Sequence, residues 1–206
     1  MEQIKTSKSL YDVMKERRSI RVLGKKENIS QEALEQVINQ ALTLTPTAFH
    51  AREQRLVLLV GQRHTWFWKL IGEKLKEKLS PEKFPETVQK LKGFQGGVGT
   101  ILFYQDTKVT KALQERFPTY KENFPHWARE ASGMLKYTLW TSLVAEGYGV
   151  SLQHYTELIE EEVNTSLQID PSWKMVGQMP FGEPKEIPGE KDERPIPGQF
   201  LVFSGT

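Results

Sequence analysis

The chain has 206 residues, with 28 basic and 26 acidic side chains, a net charge of +2 and no cysteine. That length suits one domain, residues 1–206, with a sizeable core. The charge balance gives no overall pull toward nucleic acid or membrane, so any anion site must be local. The missing cysteines exclude disulfides, thiolate metal sites and a cysteine nucleophile. The N-terminus MEQIKTSKSL has no apolar leader core, and no apolar run approaches the ~18 residues of a membrane span. The expectation is a soluble, cytoplasmic protein.

Residues 9–18 place Leu10, Val13 and Met14 at helical spacing behind a Ser9 cap. Residues 31–44 form an amphipathic helix with Ser30 as cap and a stripe of Leu34, Val37, Ile38, Ala41 and Leu42. RLVLLV at 55–60, ended by Gly61, reads as a buried strand. Helical spacing returns over 65–79 through Phe67, Leu70, Ile71, Leu75 and Leu79. The charged stretch 80–92 is expected to hold a short helix, exposed rather than core.

VGTILFY at 98–104 is a second buried strand, followed by a short helix from Asp106 or Thr107. The longest helix spans 125–146, opening at Pro125 and stopped by Gly147 and Gly149. Another covers 157–168, with glutamates in its first turns where the helix dipole favours them. WKMVGQMPF at 173–181 reads as a strand. A Pro/Gly/charge-rich tail, 182–198, then leads to GQFLVF, a short apolar strand. Strands and helices are interspersed without βαβ alternation, so the expected class is α+β, a small sheet within helices. An apolar strand after so long an irregular tail suggests pairing with a second subunit.

One local charge cluster stands out. In MKERRSIRVLG, Arg17, Arg18 and Arg21 flank Ser19 where the first helix weakens. If 19–22 is extended, Ser19 and Arg21 share a face, while Arg17 and Arg18 belong to the last helical turn. Guanidinium forks with a hydroxyl donor suit a phosphate. A solvated helix C-terminus is the simpler reading, because cations there complement the dipole. GGVG at 96–99 lacks the spacing of a nucleotide loop. His50, His64, His126 and His154 show no metal-ligand spacing, and Ser19 has no nucleophile-elbow context.

Taken in order, ERRSIR, TPTAFHAREQRLVLL (45–59), GTILFYQD (99–106), EGYGVSLQHYTELIEEEV (146–163) and the basic, Pro-rich tail resemble the nitroreductase family of FMN-dependent oxidoreductases. The likeness is to its short branch with an LQHY segment, which includes fungal fatty-acid-regulation and small bacterial members. The resemblance implies a mixed sheet surrounded by helices and an intertwined homodimer. The C-terminal strand would extend onto the partner subunit, with FMN at the interface.

By the same resemblance, Arg17 and Ser19 match contacts to the FMN phosphate and ribityl chain, and Arg18 lines that site. Arg21 matches a basic residue at the N1/O2 edge of the ring. Leu152, Gln153 and His154 match a segment along the ring whose backbone N–H reaches N5. Lys191 matches a phosphate-binding lysine, with Arg194 a second match. The family block PSSFNSQ reads differently here: His50 replaces an asparagine and Arg52 a glutamine. A neutral imidazole offers one donor and one acceptor from different nitrogens, so His50 replaces an amide only in part.

The activity implied is NAD(P)H-dependent reduction of a small nitroaromatic or quinone-type acceptor, with NADH or NADPH as donor. Donor and acceptor would share one face of the flavin in ping-pong order. The cofactor would carry the hydride chemistry, consistent with the absence of a nucleophile or base constellation. The His50 and Arg52 departures motivate a second reading, an FMN-binding sensor with little turnover. A nucleic-acid module using RRSIR and the 69–92 lysines is disfavoured, because those lysines alternate with glutamates.

Overall fold

The computed structural model describes residues 8–26, 30–192, 194 and 196–204. The leader reading falls largely on residues 1–7, and two positions of the tail, 193 and 195, likewise lie outside the described residues. The elements in chain order are α1 (Leu10–Glu16), β1 (Leu23–Gly24), α2 (Gln31–Leu44), β2 (Gln54–Val60), α3 (Gly61–Lys76) and α4 (Phe84–Gln95). There follow β3 (Gly99–Asp106), α5 (Thr107–Arg116), α6 (Phe124–Ala145), β4 (Gly149–Val150), α7 (Thr156–Leu167) and β5 (Trp173–Pro184).

The sheet order is β1-β5-β3-β2, with β4 also on β5. The named strands pair antiparallel. The parallel component is a single bridge, Ser19 to Val150. The fold is therefore α+β with helices around a small sheet, as the interspersed pattern implies.

Strand alternation builds two cores. On β3, Ile101 and Phe103 point into a cluster with α1, α2 and α6, through Val13, Leu34, Val37 and Leu139. Leu102 and Tyr104 point the other way, into a cluster with α3, α4 and α7 through Trp68, Phe94 and Val163. All four β3 side chains are fully buried, which is why that strand reads as continuous apolar sequence.

The caps follow the sequence. Ser9 and Asp12 form a reciprocal capping box on α1, and Ser30 accepts from the Ala33 N–H on α2. Helix α1 ends two residues earlier than the expected 9–18: it stops at Glu16, Arg17 is its C-cap and Arg18 lies beyond it.

The 80–92 stretch is mostly exposed and holds the expected helix, which runs on to Gln95 and buries Leu91 and Phe94 on its inner side. Its inner face carries Gly93 and Gly96, where an added Cβ would overlap the backbone carbonyls of Arg21 and Leu23. Lys83 and Lys92 are exposed, whereas Lys90 Nζ lies 5.8 Å from the Phe94 ring centre and 5.9 Å from that of Tyr155. Within one chain GQFLVF pairs with no strand of its own subunit, and Phe200 and Phe203 are 82% and 93% exposed; the expected pairing is with a second subunit. An extended segment with no adjacent strand leaves its backbone groups unpaired, so the local sequence alone does not make a ladder.

A buried polar relay joins α3 to β3. His64 Nε2 lies 3.1 Å from the Gln95 carbonyl and Nδ1 lies 2.8 Å from Thr100 Oγ1. A carbonyl only accepts, so Nε2 carries the proton and Thr100 donates to Nδ1. Thr100 Oγ1 in turn accepts from Trp68 Nε1 at 2.9 Å. Burial pulls the His64 pKa down to about 4. Between that value and the ordinary 6.5 the unfolded chain binds more protons. Stability from this site is thus complete above pH 6.5 and is lost as pH falls toward 4. The expected loss is about 3 kcal/mol, at 1.36 kcal/mol per pKa unit. Urea unfolding at pH 7 and 4.5 checks it: His64→Gln, less stable overall, should lose correspondingly less between the two.

Candidate functional site

The segment after α1 is fixed by three neighbours. First, Ser19 bridges Val150, and the Ile20 N–H donates to the Val150 carbonyl at 2.9 Å. Second, Ile20 is buried while Ser19 and Arg21 face out, so the two share a face as an extended segment requires. Third, the chain leaving β5 runs alongside. The Lys185 N–H donates to the Val22 carbonyl at 2.9 Å, and the Glu186 carboxylate accepts the Arg21 and Val22 N–H groups. Arg18 Nη1 donates to the Gly189 carbonyl at 2.6 Å. RRSIR, β4 and the start of the tail thus converge, although they lie far apart in sequence.

Arg17 stacks over Trp140 of α6, 4.7 Å from guanidinium carbon to ring centre. Trp140 Nε1 is buried with no hydrogen-bond partner. Among the described residues, no carboxylate forms an ion pair with Arg17, Arg18, Arg21 or Lys191. Lys191 is exposed, two residues beyond Gly189. Arg194 differs: its guanidinium forks onto Asp192 at 2.9 and 2.8 Å, fully in solvent, away from the RRSIR cations.

The LQHY segment is held by β5 in a strict alternation. The N–H groups of Ser151 and Gln153 donate to the Pro180 and Gln178 carbonyls, at 3.1 and 2.7 Å, and that of Tyr155 to Gln178 Oε1 at 2.7 Å. The Leu152 and His154 N–H groups are the ones left without a protein acceptor; alternation turns them to the opposite side. Leu152 packs on the α2/α6 core, and His154 is exposed. Fully buried Gln178 locks the segment, donating also to Thr156 Oγ1 at 3.0 Å. Gln178 and Trp140 carry no motif. The available signal was a lone amide within the apolar run WKMVGQMPF.

His50 stands apart. It lies in a 3₁₀ turn, Ala48–His50, and Phe49, His50 and Arg52 all have left-handed φ of 53–54°. Such backbone costs non-glycine residues of order 1–3 kcal/mol each and tends to mark functional loops. This turn precedes β2, at the sheet edge opposite β1. Gln54 registers through Gln105 with Lys174, whereas Ser19 bridges Val150, which registers with Phe181. The start of β2 and Ser19 are thus about 23 Å apart along β5, at ~3.3 Å per residue.

These features define an α+β fold with a cation-rich segment clamped against β4, directly before an LQHY strip held by β5. The nitroreductase family profile matches residues 14–183. HBN1 of Saccharomyces cerevisiae is 32% identical over 158 residues, covering 77% of this chain and 78% of its own length. The nitroreductase FRM2 of the same yeast is 27% identical over 165 residues, covering 80% and 81%. The solved nitroreductase CinD of Lactococcus lactis, in complex with chloramphenicol, superposes with a TM-score of 0.85 at 34% identity. That match covers 95% of this chain and 100% of CinD. The chain belongs to the nitroreductase family of oxidoreductases, whose members are generally flavin-dependent. No helix among the described residues is long and apolar enough to cross a membrane.

Proposed function

We propose that this protein is an FMN-dependent NAD(P)H oxidoreductase that reduces small nitroaromatic or quinone-type acceptors, working as a homodimer. The observation that carries the reading is the convergence of Arg17, Arg18 and Ser19 with β4, which leads into the LQHY strip, and with the Gly189 tail. A phosphate carries about −1.5 to −2 charges near neutral pH. The donor set fits it: unpaired guanidiniums and a hydroxyl, pinned by backbone bonds, with Lys191 in reach of the same tail. When bound, FMN supplies two-electron relay chemistry between NAD(P)H and an electron-poor acceptor. CinD has been solved with 4-nitrophenol as well as chloramphenicol, which supports a nitroaromatic as acceptor.

The chain's own residues would do the following. Arg17, Arg18, Ser19 and Lys191 hold the phosphate end. The Leu152 and His154 N–H groups, left over by the alternation against β5, are the donors available to ring nitrogen N5, and Gln153 orders the strip between them. Arg21 places positive charge at the N1/O2 edge, where reduction adds negative charge. Arg194 joins the phosphate only by leaving Asp192. The His50 turn leads into β2 about 23 Å along β5 from Ser19, at ~3.3 Å per residue, which favours its contacting a ring held at RRSIR from a second subunit, in a divided, dimeric site. The exposed Phe200–Phe203 tail is then the segment that crosses to the partner.

The test is an absorbance spectrum of the purified protein with FMN titration, followed by anaerobic NADH and NADPH addition. A flavin spectrum bleached by one donor supports the reading; failure to take up FMN removes it. A separate expectation concerns Arg21. Arg21→Ala should lower the flavin midpoint potential by about 30–60 mV, equivalent to one charge-assisted hydrogen bond at 30 mV per 1.4 kcal/mol. Dye-equilibrated reduction measures it, and FMN affinity should change less than the potential does.

A further inference from the structure

WKMVGQMPF carries one side-chain amide among apolar neighbours, and Gln178 has no exposed surface. An apolar side chain of similar shape would pack there with no polar group to satisfy, so the reason for the amide lies in its partners. Strand β5 aims it with a bulge. The register on β3 slips between Phe103 and Tyr104: Gly177 faces Phe103 and Met175 faces Tyr104, so Val176 is the extra residue. Met175 and Gln178 therefore lie on one face, although regular alternation would put them on opposite faces. Gln178 Nε2 lies 3.2 Å from Met175 Sδ on that face. Lys136 closes the bulge, its ammonium donating to the Val176 carbonyl at 2.6 Å.

Aimed in this way, one residue grips the LQHY strip twice. Its main chain exchanges both hydrogen bonds with Gln153, at 2.7 and 2.9 Å. Its side chain accepts the Tyr155 N–H at 2.7 Å and donates to Thr156 Oγ1 at 3.0 Å. Helix α7 has no side-chain cap of its own, so this amide on another strand holds its first residues. The peptide N–H groups on both sides of His154 are thus held by Gln178. The His154 N–H between them has no acceptor among the described residues. Peptide planes are rigid, so its direction is set by the two neighbours that are gripped.

We propose that the Gln178 amide is a positioning residue for the flavin: by pinning the strip on both sides of His154, it aims the His154 N–H at ring nitrogen N5. The assignment rests on the flavin reading above and deepens it. A donor held at the atom that accepts hydride polarises that atom without giving up its own proton. Gln178 is itself buried and acts only through the strip. The grip exists before any ring arrives, so little ordering is left to be done on binding.

The test loads the full chain with FMN enriched in the heavy nitrogen isotope at N5 and reads the oxidised state by NMR. An imine-type nitrogen is shielded when it accepts a hydrogen bond. Wild type should show N5 shielded relative to a flavin in aprotic solvent, and Gln178→Met should move it downfield toward that value. Gln178→Glu keeps an acceptor for the Tyr155 N–H and should restore the wild-type position. Thr156→Val removes one anchor of the amide at a half-buried helix start. It should move N5 the same way by a smaller step, and it decides the matter if Gln178→Met does not fold. His64→Gln, destabilised away from the strip, should leave N5 unmoved. Amide exchange gives an independent reading on wild type. The His154 N–H should slow at least about tenfold on FMN binding, whereas those of Gln153 and Tyr155 should be protected in the apoprotein already. N5 unmoved in the folded variants, N5 moved equally by His64→Gln, or His154 exchange unchanged by bound FMN overturns the assignment and leaves flavin binding intact. A wild type that takes up no FMN overturns both readings.

Discussion

Phe94→Ala is expected to destabilise the protein by about 3–5 kcal/mol, the range for emptying a fully buried aromatic site. Phe94 has no exposed surface, and its ring centre lies 4.9 Å from that of Trp68, itself 1% exposed. Trp68 is fixed by its bond to Thr100, so it cannot collapse into the void without breaking the His64 relay. The cost should therefore fall at the upper end of the range. Chemical denaturation at pH 7 measures it, and Phe94→Leu, which fills part of the volume, should lose clearly less. A loss near zero would mean that α4 does not dock on the sheet as described.

Arg17→Ala is expected to weaken FMN retention by about 1.5–3 kcal/mol, or roughly 10- to 100-fold in affinity. The side chain has no carboxylate to satisfy it and is held on the Trp140 face. Arg17→Lys should recover only part of the loss, since an ammonium supplies charge without the planar fork. Flavin fluorescence quenching on titration gives the constants. Arg17 also packs on Trp140, so thermal unfolding of the apoprotein separates lost packing from lost charge. Affinity unchanged in a folded Arg17→Ala variant would place the phosphate elsewhere.

The sequence disclosed the fold unevenly, for physical reasons. Helices α2 and α6 were legible because long amphipathic periods and caps are local signals. β3 was legible because both of its faces are buried, leaving an unbroken apolar run. β1 and β4 were not, since two-residue strands exist only through their partner on β5. α4 was legible as a short, largely exposed helix, but the burial of Phe94 was not, because it lies beyond the charged stretch and depends on the distant contact with Trp68. In the candidate site, RRSIR showed as charge, but a helix end explained that charge equally well. What distinguishes the two is the contact with Val150 and Gly189, and such long-range pairing leaves no local trace. The same holds for Gln178, whose role is visible only once Tyr155 and Thr156 lie beside it.

The glycine face of α4 has a consequence for how this protein can vary. The backbone of Arg21 and Leu23 rests on Gly93 and Gly96, so the helix behaves as a shim under the cation segment. Any side chain introduced there would lift the arginines bodily, changing anion affinity from a position no ligand ever meets. Lys90 lies near the Phe94 and Tyr155 rings, so the freedom to vary belongs to the exposed positions of the same helix, such as Glu86, Gln89 and Lys92. Tuning of the pocket by distant substitution should thus concentrate on one side of a single helix.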